Sequence, residues 1–169
     1  MTIASALLDE FDHEMYTTRA LLQRVPEAQA DWAPHPRSTP LGGLAMHVAN
    51  IPSWAVATMT GAMLNLATPE GEAYRPPRFT TTDHLLDHFT RTSVNARAAI
   101  AGASDEAMNE TWTLRAGEHV IFSSTRIHTL RSFVMNHLIH HRAQLGVYLR
   151  LNDIPVPSIY GPSADENPF

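Results

Sequence analysis

The sequence predicts an all-α fold, a four-helix bundle with two long connections. Three observations carry that expectation: four segments in which apolar residues recur every three or four positions, proline-rich stretches between them, and a last helical segment long enough to span a small domain. At 169 residues the chain reads as one domain covering residues 1–169, large enough to bury a core of its own.

The first helix is expected from about Ile3 to Arg24, because Ala4, Leu7, Leu8, Phe11, Met15, Leu21 and Leu22 fall on one face and Pro26 ends the pattern. Residues 26–40, with Trp32, Pro34 and Pro36, read as a loop. The second helix is expected from Leu41 to about Leu66, and Pro52, which lacks an amide donor, predicts a kink or local rupture inside it. Pro69, Gly71, Pro76 and Pro77 then mark a connection of about 15 residues. Thr82 offers an N-cap hydroxyl to a third helix running to about Ala101.

Residues 102–124 depart from the helical pattern. Trp112 and Leu114 are separated from Val120 and Phe122 by the turn signal Ala116-Gly117-Glu118, which suits a short hairpin or an irregular crossover between helices three and four. The fourth helix is expected from about Thr125 to Asn152, ahead of Pro155; roughly 28 residues at ~1.5 Å each give about 42 Å. Pro155, Pro157, Gly161 and Pro162 leave residues 153–169 as a non-helical tail.

Composition narrows the chemistry. Cysteine is absent, which excludes disulfides, thiolate–metal sites and cysteine nucleophiles; all 12 basic residues are arginine, which excludes a lysine Schiff base. A net charge of −5 with no basic cluster argues against a nucleic-acid partner. No apolar run is long enough to span a membrane, and the N-terminus lacks the layout of a signal peptide, so a cytoplasmic location is expected.

Ten histidines leave nitrogen and oxygen as the metal-binding atoms, and placement decides which of them matter. His137 and His141 lie one helical turn apart, on one face, with Cβ atoms roughly 5–6 Å apart. Counting by threes and fours through Leu130, Val134, His137, His141, Leu145 and Tyr148 puts the pair in an apolar stripe. Unpartnered imidazoles buried there would be costly, so a metal or a dense hydrogen-bond network is implied. His47, flanked by Leu44, Val48, Ile51 and Trp54, is the best placed third ligand. His140 flanks the site as a supporting or surface group. Gln144 and Asn50, each three residues from a candidate ligand, are candidates for orienting an imidazole through its second nitrogen, and Trp54 for walling the pocket. His84 and His88 form a second pair at the same spacing, but their stripe continues through Arg91 and Asn95 and reads as a solvated flank. His13, His119 and His128 are not assigned to the metal.

The run Asn136-His137-Leu138-Ile139-His140-His141-Arg142-Ala143-Gln144-Leu145, with Leu44-Ala45-Met46-His47-Val48 upstream, resembles the DinB/YfiT family of metal-dependent four-helix-bundle proteins. The tail from Ile154 to Glu166 is similar to the ending of one subgroup. Ala143 stands where many members have glycine, a small residue in either case. The resemblance implies a bundle that is commonly a homodimer, with one histidine on the second helix and an H-x3-H pair on the fourth holding a divalent metal. It carries those roles onto His47, His137 and His141.

Three imidazoles leave coordination positions for water or substrate, as in catalytic rather than structural zinc sites; nickel and iron are equally compatible. Such a site can lower the pKa of a held water toward about 7 or present a thiolate. Some relatives are similar to thiol S-transferases that use bacillithiol or mycothiol, and others resemble a thiol-dependent maleylpyruvate isomerase. The expectation is therefore a metal-dependent enzyme of thiol S-transferase or hydrolase type acting on a small molecule, with no general base identified. The alternative is a non-catalytic, stress-associated metal-binding protein or dimeric scaffold, whose site a carboxylate such as Asp12 or Glu14 would close.

Overall fold

The structure is a computed structural model and describes residues 1–67 and 77–167. Helix α1 (Ile3–Leu22) is capped by the Thr2 hydroxyl, which accepts from the Ser5 amide, and it buries Ala4, Leu7, Phe11, Met15, Leu21 and Leu22 as its periodicity predicts. Buried beside them are three polar residues, Glu14, Thr17 and Thr18. A 3-10 turn (Glu27–Gln29) leads through the predicted loop to α2.

The expected second helix is divided and shortened. It consists of α2 (Leu41–Asn50) and α3 (Ser53–Thr60), broken at Ile51 and Pro52. Pro52 has no amide to donate, and the chain restarts with short-range bonds from the Trp54 amide to the Ile51 carbonyl and from the Ala55 amide to the Pro52 carbonyl. Extension to Leu66 does not occur. Gly61 turns to extended backbone, and β1 (Met63–Asn65) follows. Pro69, Gly71 and Pro76 of the predicted connection lie outside the described residues.

Helix α4 (Thr82–Ala101) has the expected length, but its cap is Thr81, whose hydroxyl accepts from the His84 amide. After the short α5 (Asp105–Asn109), β2 (Thr111–Ala116) and β3 (His119–Thr125) form the hairpin, with Gly117 at φ +60° in the turn, a conformation that glycine adopts without strain. Trp112 and Leu114 point from β2 into the interior. The sheet has the order β1-β2-β3, with β1 parallel and β3 antiparallel to β2. The fold is thus mostly helical with a small sheet, and the expectation of a purely α-helical bundle is corrected on this point.

The last helix is one continuous rod with a fault in it. Thr125 caps α6 (Arg126–Thr129), the backbone widens into a π-helical stretch over Leu130–Met135, and α7 (Asn136–Leu151) completes it. The π stretch carries one residue more than regular winding would, so everything downstream is displaced by one position. The buried seam runs from Thr129 and Leu130 through Val134 and Met135 to Leu138, Arg142, Leu145 and Leu149. An uninterrupted α-helix would have placed His137, His141 and Tyr148 there instead. These three are half-buried and flank the seam.

Packing brings α1 against α4 and α7, and α2 against α4 and α7, around the core. The second and last helices are therefore neighbours, as a shared histidine site requires. The tail is non-helical but firmly attached: Glu166 pairs with Arg24, Asp165 with Arg150, and the Tyr160 hydroxyl donates to the Glu14 carboxylate at 2.8 Å. Arg142 reaches beneath it, 2.7 Å from Glu14, and its guanidinium also donates to Thr17, Thr18 and the Tyr160 oxygen. Among the described residues, no helix is long and apolar enough to cross a membrane.

Candidate metal centre

Helix α2 presents His47 and helix α7 presents His137 and His141 to a common point. One ring nitrogen from each lies within 4.8 Å of the others. The Nε2 atoms of His47 and His137 are 3.1 Å apart. Two nitrogens bound about 2.0–2.1 Å from one tetrahedral ion must lie about 3.3 Å apart, so the spacing fits a shared cation. Among the described residues no aspartate or glutamate joins the cluster.

Protonation favours the same use. Burial pushes the His47 ring below its ordinary pKa, helped by repulsion from His141. His137 is pushed down to about 4, first by burial and then by the neighbouring imidazoles of His141, His47 and His140. Burial also lowers His141, against the opposing effect of its hydrogen bond to Gln144. At neutral pH the rings are uncharged and offer lone pairs, which is the ligating form.

The surroundings fix the rings. Gln144 Oε1 lies 2.7 Å from His141 Nδ1, so the Nδ1–H donates to the amide oxygen and Nε2 is left with its lone pair. Trp54 stands 5.0 Å from the His137 ring and 5.6 Å from His47, stacked in turn on Phe133 at 4.8 Å. This aromatic wall covers His137. A cavity of about 980 Å³ is lined by His47 and His141 but not by His137, Trp54 or Phe133.

Other sequence expectations resolve differently. Asn50 turns to another histidine than the expected His47; its Oδ1 lies 3.0 Å from His88 Nε2. His88 is therefore not a simple solvated flank but has a partner on the neighbouring helix, and its pKa is lowered by burial and by Arg91. Asp12 is engaged by Arg97 at the surface, and Glu14 by Arg142 in the interior, so neither closes the histidine site. His140 stands against His141 with ring centroids 4.9 Å apart. The buried Arg142 was missed by sequence reasoning, although Glu14 amid the apolar face of α1 was the signal for a buried cation.

A helical bundle whose second and last helices converge three imidazoles beside an open cavity is the class of protein that the fold and site define. The family model of the DinB superfamily matches residues 10–145, and this protein belongs to that superfamily. A DinB-like protein from Bacillus subtilis is similar over 91% of this chain and 96% of its own, with a TM-score of 0.67 and 15% identity. Another, from Bacillus cereus, is similar over 90% and 95%, with a TM-score of 0.67 and 19% identity. At these identities the likeness shows the fold. No curated protein matches the chain.

Proposed function

We propose that this protein is a divalent-metal-dependent enzyme of thiol S-transferase or hydrolase type, with His47, His137 and His141 as ligands to zinc, nickel or iron. The observation that carries this reading is the convergence of three neutral imidazoles, two of which line an open cavity. A bound divalent ion supplies Lewis acidity, making a water or a low-molecular-weight thiol such as bacillithiol or mycothiol nucleophilic at neutral pH. The chain's own part is to hold the rings deprotonated, to fix the His141 tautomer through Gln144, and to exclude water from the Trp54 side. An ion that only stabilised the bundle would call for a closed site, and the open cavity favours catalysis instead.

The reading includes a homodimer of small-molecule specificity. Val147 and Leu151, one turn apart on α7 and each 58% exposed, offer a second copy an apolar surface. Elemental analysis of protein purified without a histidine tag, followed by assays on electrophiles with and without thiol, tests the activity. Turnover that vanishes in His141→Ala is expected. Metal retention without turnover toward electrophiles or hydrolysable esters would leave the stabilising, scaffold role instead.

A further inference from the structure

The cavity beside the histidines is larger than a reacting centre alone requires. At about 980 Å³ it lies at the upper end of the range for small-molecule sites. It is also lined by Asp31, Arg78, Phe79 and Tyr148. Asp31 stands at the start of α2, between residues whose carbonyls accept from the Gly42 and Leu41 amides, and Tyr148 lies two turns beyond His141 on α7. The aromatic wall is well supported. A Cβ on Gly42 would come within 3.0 Å of the Phe79 ring, so the glycine is what allows Phe79 its position. Tyr148 packs edge-on against Trp32 at 5.5 Å.

The cavity carries one charge of each sign. Seven arginines of the described residues are paired with carboxylates. Arg78, like Arg19, Arg37 and Arg91, is not among them; it is the one of these four that lines the cavity, and its guanidinium makes no hydrogen bond to a described residue. The Asp31 carboxylate is likewise without a partner there, and the two do not pair with each other although they line one cavity. A cation and an anion that line one cavity without pairing, together with two aromatic rings and two histidines, match a ligand that is charged oppositely at two points of its own.

We propose that the cavity binds a zwitterionic small molecule of amino-acid type. Its carboxylate meets Arg78, its ammonium meets Asp31, its middle lies along Phe79 and Tyr148, and its other end reaches His47 and His141. The assignment of that last end rests on the metal reading above, whereas the charged end does not. A ligand with a single charge would satisfy one side chain and meet repulsion from the other.

Three probes separate these points: L-glutamic acid γ-hydroxamate, whose metal-binding group and α-amino acid sit at opposite ends; glutaric monohydroxamate, which lacks the ammonium; and acetohydroxamate, which lacks both charges. Calorimetric titration is done on zinc-loaded and on metal-free protein. The zwitterion is expected to bind tighter than acetohydroxamate by about fivefold for each exposed charge pair. Arg78→Ala and Asp31→Asn should each remove their share of that preference while leaving acetohydroxamate binding unchanged. Both side chains are exposed, so the variants should fold, and circular dichroism checks this. No preference for the zwitterion in either state, or a preference that survives both substitutions, overturns the proposal. Zinc that tightens none of the three probes overturns the metal reading instead, and a zwitterion preference on metal-free protein would then still uphold this one.

Discussion

Acidification gives the sharpest test of the histidine centre, because protons and metal compete for the same lone pairs. For a ligand of ordinary pKa near 6.5, lowering the pH to 5 weakens binding by roughly 30-fold, so three independent ordinary imidazoles would lose about 4.5 orders of magnitude. His137, pushed down to about 4, is almost wholly deprotonated at pH 5 and contributes a loss of only about 10%. That alone limits the loss to about 10³-fold, and the downward shifts of His47 and His141 reduce it further. The assay is zinc competition against a chromophoric chelator from pH 7.5 to 4.5, corrected for the chelator's own protonation. A loss of 10⁴-fold or more by pH 5, with three protons taken up near pH 6.5, would refute the argument that burial keeps these rings neutral.

The same shifts act on the metal-free protein. Because the folded pKa of His137 lies below the unfolded one, the unfolded chain takes up more protons; stability is full above about pH 6.5 and is lost as pH falls toward 4. For a half-exposed ring the loss is about 1–2 kcal/mol after screening, readable in urea titrations at pH 7 and 4.5. Replacing Gln144 with Leu frees the His141 tautomer and should lower metal affinity about 10–100-fold with little change in the metal-free melt. Arg142→Met leaves Glu14 buried without its cation and should destabilise the fold by about 3–5 kcal/mol, most of it recovered when Glu14→Leu is added. Metal at a hundred times its dissociation constant should stabilise the protein by about 2.7 kcal/mol, a gain that a chelator removes in thermal melts.

Local patterns make α1, α4, the hairpin and the Pro52 break readable, since each is fixed by residues close together in sequence. Strand β1 is not readable in this way, because three residues have no period of their own and Met63–Asn65 is extended only by pairing with Thr113–Arg115. Helical spacing puts His137 and His141 on one face, and the fold brings His47 of α2 beside them, yet the spacing makes the pair core positions, whereas the seam beside them runs through Leu138 and Arg142. The sequence offers no local sign of the π-helical turn. The buried Arg142–Glu14 pair escapes a linear reading because an arginine next to a candidate ligand looks like a surface residue until a carboxylate on another helix is placed opposite it.

The widened turn at Leu130–Met135 also bears on how the helix tolerates changes in length. Counting backwards from Leu149 in ordinary helical steps recovers Leu145, Arg142 and Leu138, so the site is registered from the C-terminal side. A chain one residue shorter within Leu130–Met135 would wind as a plain α-helix and still aim His137 and His141 at His47. The same deletion between His137 and His141 would turn one ligand about 100° away from the other. Alignments of related chains should therefore accept a single-residue gap in the first segment and none in the second, and a deletion scan along this helix would show the same boundary.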